Sequence, residues 1–221
     1  MRLVNDFTPT TIEVEGKTVT ARATQAHMGI VTRVWAPKRW GPFLRKHWDY
    51  GPEHSFASLQ VNIEVDDTSG DDCALYPTLR IVFRPGGWTA NSFADLAGQT
   101  FVEGEDPVEF ECWYGNDAPH FENNRVTFQR GDEADQLHVD WSAQFRWDKN
   151  DKLQPFRFSG LIRIQGLWIA VMRDKDVAPI VAATMPGFDL GSLNAPEITD
   201  EDHRPHSPKK FAHWRVHWFA A

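Results

Sequence analysis

The stretch Leu137-His138-Val139-Asp140-Trp141-Ser142-Ala143-Gln144-Phe145-Arg146-Trp147 decides the fold class. Its apolar and polar residues alternate without a break. Leu137, Val139, Trp141, Ala143, Phe145 and Trp147 take one side, and His138, Asp140, Ser142, Gln144 and Arg146 the other. A helix repeats about every 3.6 residues and would scatter these two sets around its axis, whereas a strand repeats every two and separates them. The segment is therefore expected as a β-strand with one buried face, with Trp141 at its centre as a core anchor.

The same period recurs on both sides. From Ser58 to Asp66 the apolar set is Leu59, Val61, Ile63 and Val65, and similar strands are predicted at 11–15, 17–24, 29–35, 77–84, 107–114, 125–130, 156–165, 167–173 and 211–219. Turn signals separate them: Glu15-Gly16, Asn123-Asn124, Arg130-Gly131-Asp132, and Gln165-Gly166 as a two-residue hairpin. An open twisted sheet this wide would leave a face uncovered. The expected architecture is all-β, an antiparallel β-sandwich or closed β-barrel of about ten to twelve strands.

One or two short helical turns are expected beside the strands. Ser92-Phe93-Ala94-Asp95 has capping-box spacing and is stopped by Gly98, and Gly41-Pro42 is a possible second start. The chain of 221 residues is read as a single β domain spanning 1–221, with a long aromatic and basic loop at 36–57 and a Pro-rich arm at 186–210. The strand-like 211–219 returns that arm to the sheet.

The net charge is -8, which opposes phosphate binding over the surface as a whole, so nucleic acid is not an expected partner. The longest apolar runs, such as Leu167 to Met172, fall far short of the ~18 to 20 residues of a membrane span. An acid within Met1-Arg2-Leu3-Val4-Asn5-Asp6 replaces the apolar core of a signal peptide, and two cysteines make no disulfide framework. Cytoplasm is the expected compartment, although a secreted form with its leader removed would read the same.

His138, Asp140 and Ser142 supply the residue types of a nucleophilic triad on one strand face. Along a strand, however, His138 and Ser142 stand roughly 13 Å apart, against the ~3 Å that a base needs from its nucleophile. His203, His206, His213 and His217 invite a metal, but a strand separates the last two by a similar distance. The acids of Asp66 to Asp72 have a composition that calcium can use without the EF-hand spacing, and a solvated turn accounts for them more simply. Arg130-Gly131-Asp132 reads as a hairpin turn rather than an adhesion motif. Cys112 is expected to be buried and inert with Val108, Phe110 and Tyr114, and acids beside Cys73 disfavour its thiolate. No catalytic residue, metal or cofactor is expected.

The segment from Arg33 to Tyr50 departs from the rest. It sets Arg33, Lys38, Arg39, Arg45 and Lys46 against Asp49 alone, interleaved with Trp35, Trp40, Phe43, Trp48 and Tyr50. Arg and Trp together are enriched at binding hot spots, whereas rings that merely plug one end of the β scaffold would look the same in sequence. The expected function is a non-catalytic binding module that recognises a partner protein or ligand through Trp35, Arg39, Trp40, Phe43, Arg45, Trp48, Tyr50 and Trp88. The alternative is a β-barrel enzyme or carrier for a small apolar molecule, its mouth lined by Trp35, Trp40, Trp48 and Trp88.

Overall fold

Alternation becomes strand along most of the described residues. The computed structural model describes residues 10–14, 16–32, 55–65, 77–114, 119–133, 136–171, 177–200 and 214–219. The strands are β1 (Thr10–Val14), β2 (Lys17–Thr32), β3 (Ser55–Val65), β4 (Pro77–Phe83), β5 (Thr100–Val102) and β6 (Val108–Tyr114), then β7 (His120–Arg130), β8 (Gln136–Arg146), β9 (Gln154–Val171), β10 (Glu197–Asp200) and β11 (Trp214–Phe219). The one α-helix among the described residues, α1, is Val177–Thr184. Strands take the majority of those residues, so the all-β reading stands.

All strands join one sheet in the order β5-β7-β8-β9-β1-β2-β3-β4-β6, with β11 branching from β9 and β10 pairing β11. The path has two ends, β5 and β6, and the sheet is not closed, which fits a sandwich rather than a barrel. Its two halves face each other across the core: the ring of Phe110 on β6 meets Trp141 on β8 at 5.5 Å between centroids. Trp141, Phe128, Phe145, Phe156, Phe158 and Phe83 are all but inaccessible to solvent and fill this interior. Trp141 is thus the anchor its central position implied.

Strand β9 organises the sheet. Its first part pairs with β8 on one edge and β1 on the other, from Phe145↔Gln154 and Val14↔Phe156 onward. Where those neighbours run out, β11 takes one edge, and β2 takes the other in parallel, with Ala26 opposite Ile164. The hairpin expected at Gln165-Gly166 is therefore corrected. The chain runs straight on, and a register irregularity against β2 returns Leu167 and Ile169 to the core after Ile162 and Ile164. Each half of β9 has edge partners to bond, which a turn at Gly166 would remove.

Other expectations change in detail. Trp147, assigned to the buried face, lies beyond the end of β8 and is 44% exposed, edge-on to Phe145. Residues Ser55, Phe56 and Ala57, placed in the 36–57 loop, begin β3. Within the 186–210 arm, β10 is a true strand, with Ile198 opposite Val216 of β11, and β11 returns to β9 as expected. Helix α1 was not anticipated: VAPIVAAT carries no acidic residue in its first turn and no basic one in its last, and its burial of Val177, Ile180 and Val181 is a tertiary effect. At Ser92 the expected turn forms over Phe93–Leu96, where the Asp95 carboxylate accepts from the Ser92 amide at 2.9 Å.

No helix among the described residues is long and apolar enough to cross a membrane.

Candidate functional site

The outward face of β7, β8 and β9 is the surface on which polar side chains converge. Its placement depends on a bulge in β7. The β7–β8 register slips between Glu122 and Arg125, with Asn123 in a left-handed conformation at φ 57°. The slip turns Asn124 inward, where it is 1% exposed, and sends Arg125, Thr127 and Gln129 outward.

Burying an amide requires partners, and Asn124 has them. The indole Nε1–H of Trp141 donates to Asn124 Oδ1 at 2.9 Å, and Asn124 Nδ2–H₂ donates to the Glu103 carboxylate at 2.9 Å. Glu103 also accepts from the Asn124 backbone N–H at 3.0 Å. This network ties the bulge to the largest core ring, so the outer face is set from within.

Register then builds the outer surface in rows. Thr127, Asp140 and Ser159 lie side by side on the three strands, and Arg125, Ser142 and Arg157 form the next row. Neighbouring positions in such rows stand about 4.5 to 5.5 Å apart, so the two guanidinium side chains rise on either side of Ser142. The open groove there has a volume of about 390 Å³ and is lined by Arg125, Thr127, Gln129, Asp140, Trp141, Ser142 and Arg157.

Four arginines on or beside the sheet are paired: Arg80 with Glu111 at 3.0 Å, and Arg84 with Glu109, Arg146 with Glu122 and Arg163 with Glu133 in close contact, whereas Arg130 at the end of β7 makes no ion pair among the described residues. Arg125 makes no ion pair among the described residues, and Arg157 reaches Asp140 Oδ1 only at 3.6 Å. The groove is therefore a place where positive charge is left available in a chain of net charge -8.

Along the same face His138 lies between two partners. Its Nε2 is 3.4 Å from Ser159 Oγ, and its Nδ1 is 3.6 Å from Asp140 Oδ2. The triad of His138, Asp140 and Ser142 that distance argued against does not form. The hydroxyl at His138 is that of Ser159, twenty-one positions away in sequence and directly opposite Asp140 in register. Nothing local in the sequence marks Ser159. Only the pairing of β8 with β9 brings it there.

The residues expected to bind a partner fall differently. Trp35, Arg39, Trp40, Phe43, Arg45, Trp48 and Tyr50 lie outside the described residues, as do Asp66 to Asp72, Cys73, His203, His206 and His213. Trp88, expected among the binding residues and at the mouth of a pocket, is described and lies in the core. It is 2% exposed, edge-on to Phe83 at 5.2 Å and to Phe188 at 5.9 Å, with its indole N–H donated to the Ala90 carbonyl. A ring with its polar atom satisfied inside the core has no face to offer a partner. Cys112 is buried as expected. Among the described residues no group of three or more His, Cys, Asp or Glu side chains is arranged to hold a metal ion.

Comparisons of the chain with protein-family models, with curated protein sequences and with solved structures found no match.

Proposed function

We propose that the chain is a binding module whose β scaffold presents a polar groove on the outer face of β7 to β9. The ligand that fits this groove is hydrophilic, with an anionic group for Arg125 and Arg157 and hydroxyls for the acceptors and donors between them. The observation that carries this reading is the pair of guanidinium groups flanking Ser142, one of them without an ion pair among the described residues. An arginine left unpaired beside hydroxyl and carboxamide groups is pre-set for a carboxylate or similar anion, because its planar fork donates two parallel hydrogen bonds. The aromatic and basic segment from Trp35 to Tyr50 remains part of the reading, as the surface for a partner protein.

The apolar-ligand alternative draws no support from the described interior, where Phe83, Trp88, Phe101 and Phe128 pack ring against ring. The test is a titration of isotopically labelled protein with D-glucuronate and, in parallel, with D-glucose, followed by amide resonances. Shifts at Arg125, Ser142 and Arg157 with glucuronate, weaker with glucose and lost in the R125Q/R157Q variant, support the groove. Equal shifts with both sugars, or none at millimolar concentration, exclude it as an anion-selective site.

A further inference from the structure

The geometry points to Ser159 as a nucleophile for acyl transfer, with His138 as its general base and Asp140 as the residue that positions the imidazole. The inference goes beyond the binding reading and can fail without it.

Three observations carry it. The two ring nitrogens of His138 are used in the order that such a relay requires: Nε2 faces the Ser159 hydroxyl at 3.4 Å and Nδ1 faces the Asp140 carboxylate at 3.6 Å. These separations are slightly long, as is common before a substrate is seated. The arrangement is also held by regular structure. Asp140 and Ser159 are directly paired across β8 and β9, and His138 stands two residues along β8, on the same face and diagonal to Ser159.

The third observation separates this from an ordinary surface histidine. His138 Nδ1 is shut away from water and makes no hydrogen bond, although the side chain as a whole is 31% exposed. A solvated histidine would wet both nitrogens. Among the described residues the only carboxylate within ion-pair distance of the sequestered nitrogen is Asp140, so a small rotation of the ring closes the contact that fixes its tautomer. The other oxygen of Asp140 is 3.6 Å from Arg157, which leaves the guanidinium beside Ser159 on the same strand face.

The reaction that fits is hydrolysis of an ester. Ser159 Oγ forms a bond to the acyl carbon while its proton passes to His138 Nε2, and the negative charge moves to the carbonyl oxygen, which the Arg157 guanidinium stabilises. The bond from the acyl carbon to the alcohol oxygen then breaks, and that oxygen leaves with the proton from Nε2. Water then attacks the acyl carbon and gives its proton to Nε2, the bond from that carbon to Ser159 Oγ breaks, and Oγ takes the proton back from Nε2. The products are a carboxylic acid and an alcohol, with one water consumed. Esters carrying an anionic group are the favoured substrates, and only that preference rests on the groove reading.

The test exposes the full chain to a neutral fluorophosphonate probe and locates the adduct by peptide mass spectrometry. Labelling of Ser159 is expected, absent in S159A and slowed at least about 100-fold in H138A, in line with the usual effect of removing a general base. D140N should slow labelling and alter its pH profile, a readout that a merely structural carboxylate would leave unmoved. The S192A variant, which removes an exposed hydroxyl elsewhere, should label like the parent. Thermal melts establish that each variant is folded. No adduct at Ser159, or an H138A rate equal to the parent's, overturns the proposal. Labelling of Ser159 in a protein that ignores glucuronate would retain the nucleophile and discard the anion preference.

Discussion

The two halves of the sheet share one core and differ in how the polar groups of their outer faces are joined. On and beside β3, β4 and β6 the polar side chains are joined to one another: Arg80 pairs with Glu111 while lying over the Phe56 ring, with its buried Nε left without a hydrogen bond among the described residues, Arg84 pairs with Glu109, and Asn62 accepts from Gln60 and Thr78. On β7, β8 and β9 Arg146 with Glu122 and Arg163 with Glu133 are joined in the same way, but around Ser142 and His138 the groups are close without being fully joined. Arg125 lacks an ion pair among the described residues, Arg157 stands off Asp140 at 3.6 Å, and His138 lies between Asp140 and Ser159 at similar distances. A self-satisfied face has little to offer a ligand, since binding must first break its bonds. A face with loose partners has donors and acceptors to spend, and this is why the site is placed there.

The largest expected effect tests the core common to both halves. Replacing Trp141 by Ala should cost about 3 to 5 kcal/mol in urea unfolding, from lost burial plus a cavity. A loss below about 1 kcal/mol would separate the halves energetically and undo the shared-core picture.

Next comes the choice of surface for a protein partner. Changing both Trp40 and Trp48 to Ala should weaken partner binding by about 2 kcal/mol or more while moving stability by less than about 0.5 kcal/mol. A large fall in melting temperature with affinity intact in the folded fraction would make those rings part of the scaffold instead.

Asn124 to Ala should cost about 1 to 3 kcal/mol, because it leaves the Trp141 indole N–H inside the core without its acceptor. It should also move the amide resonances of Arg125 and Thr127, since the bulge sets their direction. A stability loss with those resonances unchanged would mean that the outer face does not depend on the inner network.

The smallest effects sharpen the contrast between faces. A double-mutant cycle on Arg80 and Glu111 should give a coupling under about 1 kcal/mol, as for other partly exposed pairs, and Arg125 to Gln should change stability by less than about 0.5 kcal/mol. A substantially larger stability loss at Arg125 would show that the groove arginine is structural.

The extent to which these features were legible differs from strand to strand. Period-two alternation identified β8 to within a residue at each end and named its inward set, with Trp147 the exception because the strand ends at Arg146. It split β9 at Gly166, because glycine after glutamine has the chemistry of a turn and nothing nearby in sequence tells of the partners β2 and β11 that keep the chain extended. Helix α1 carries no local signal, because its apolar residues find their burial only against distant elements.

What the amino-acid order determined by itself is which side of an unbroken strand such as β8 faces the core, since that depends only on the parity of neighbouring residues. It also determined the rings that fill the interior, Trp141 among them. Which outward residues meet was decided by tertiary structure alone. Distance along the strand rightly separated Ser142 from His138, but only the register of β8 on β9 could bring Ser159 to it, and only the Asn123-Asn124 bulge could set Arg125 beside Ser142 and opposite Arg157. Parity is a local property of the chain, whereas register is the outcome of all the pairings and core contacts at once, and so no single segment encodes it.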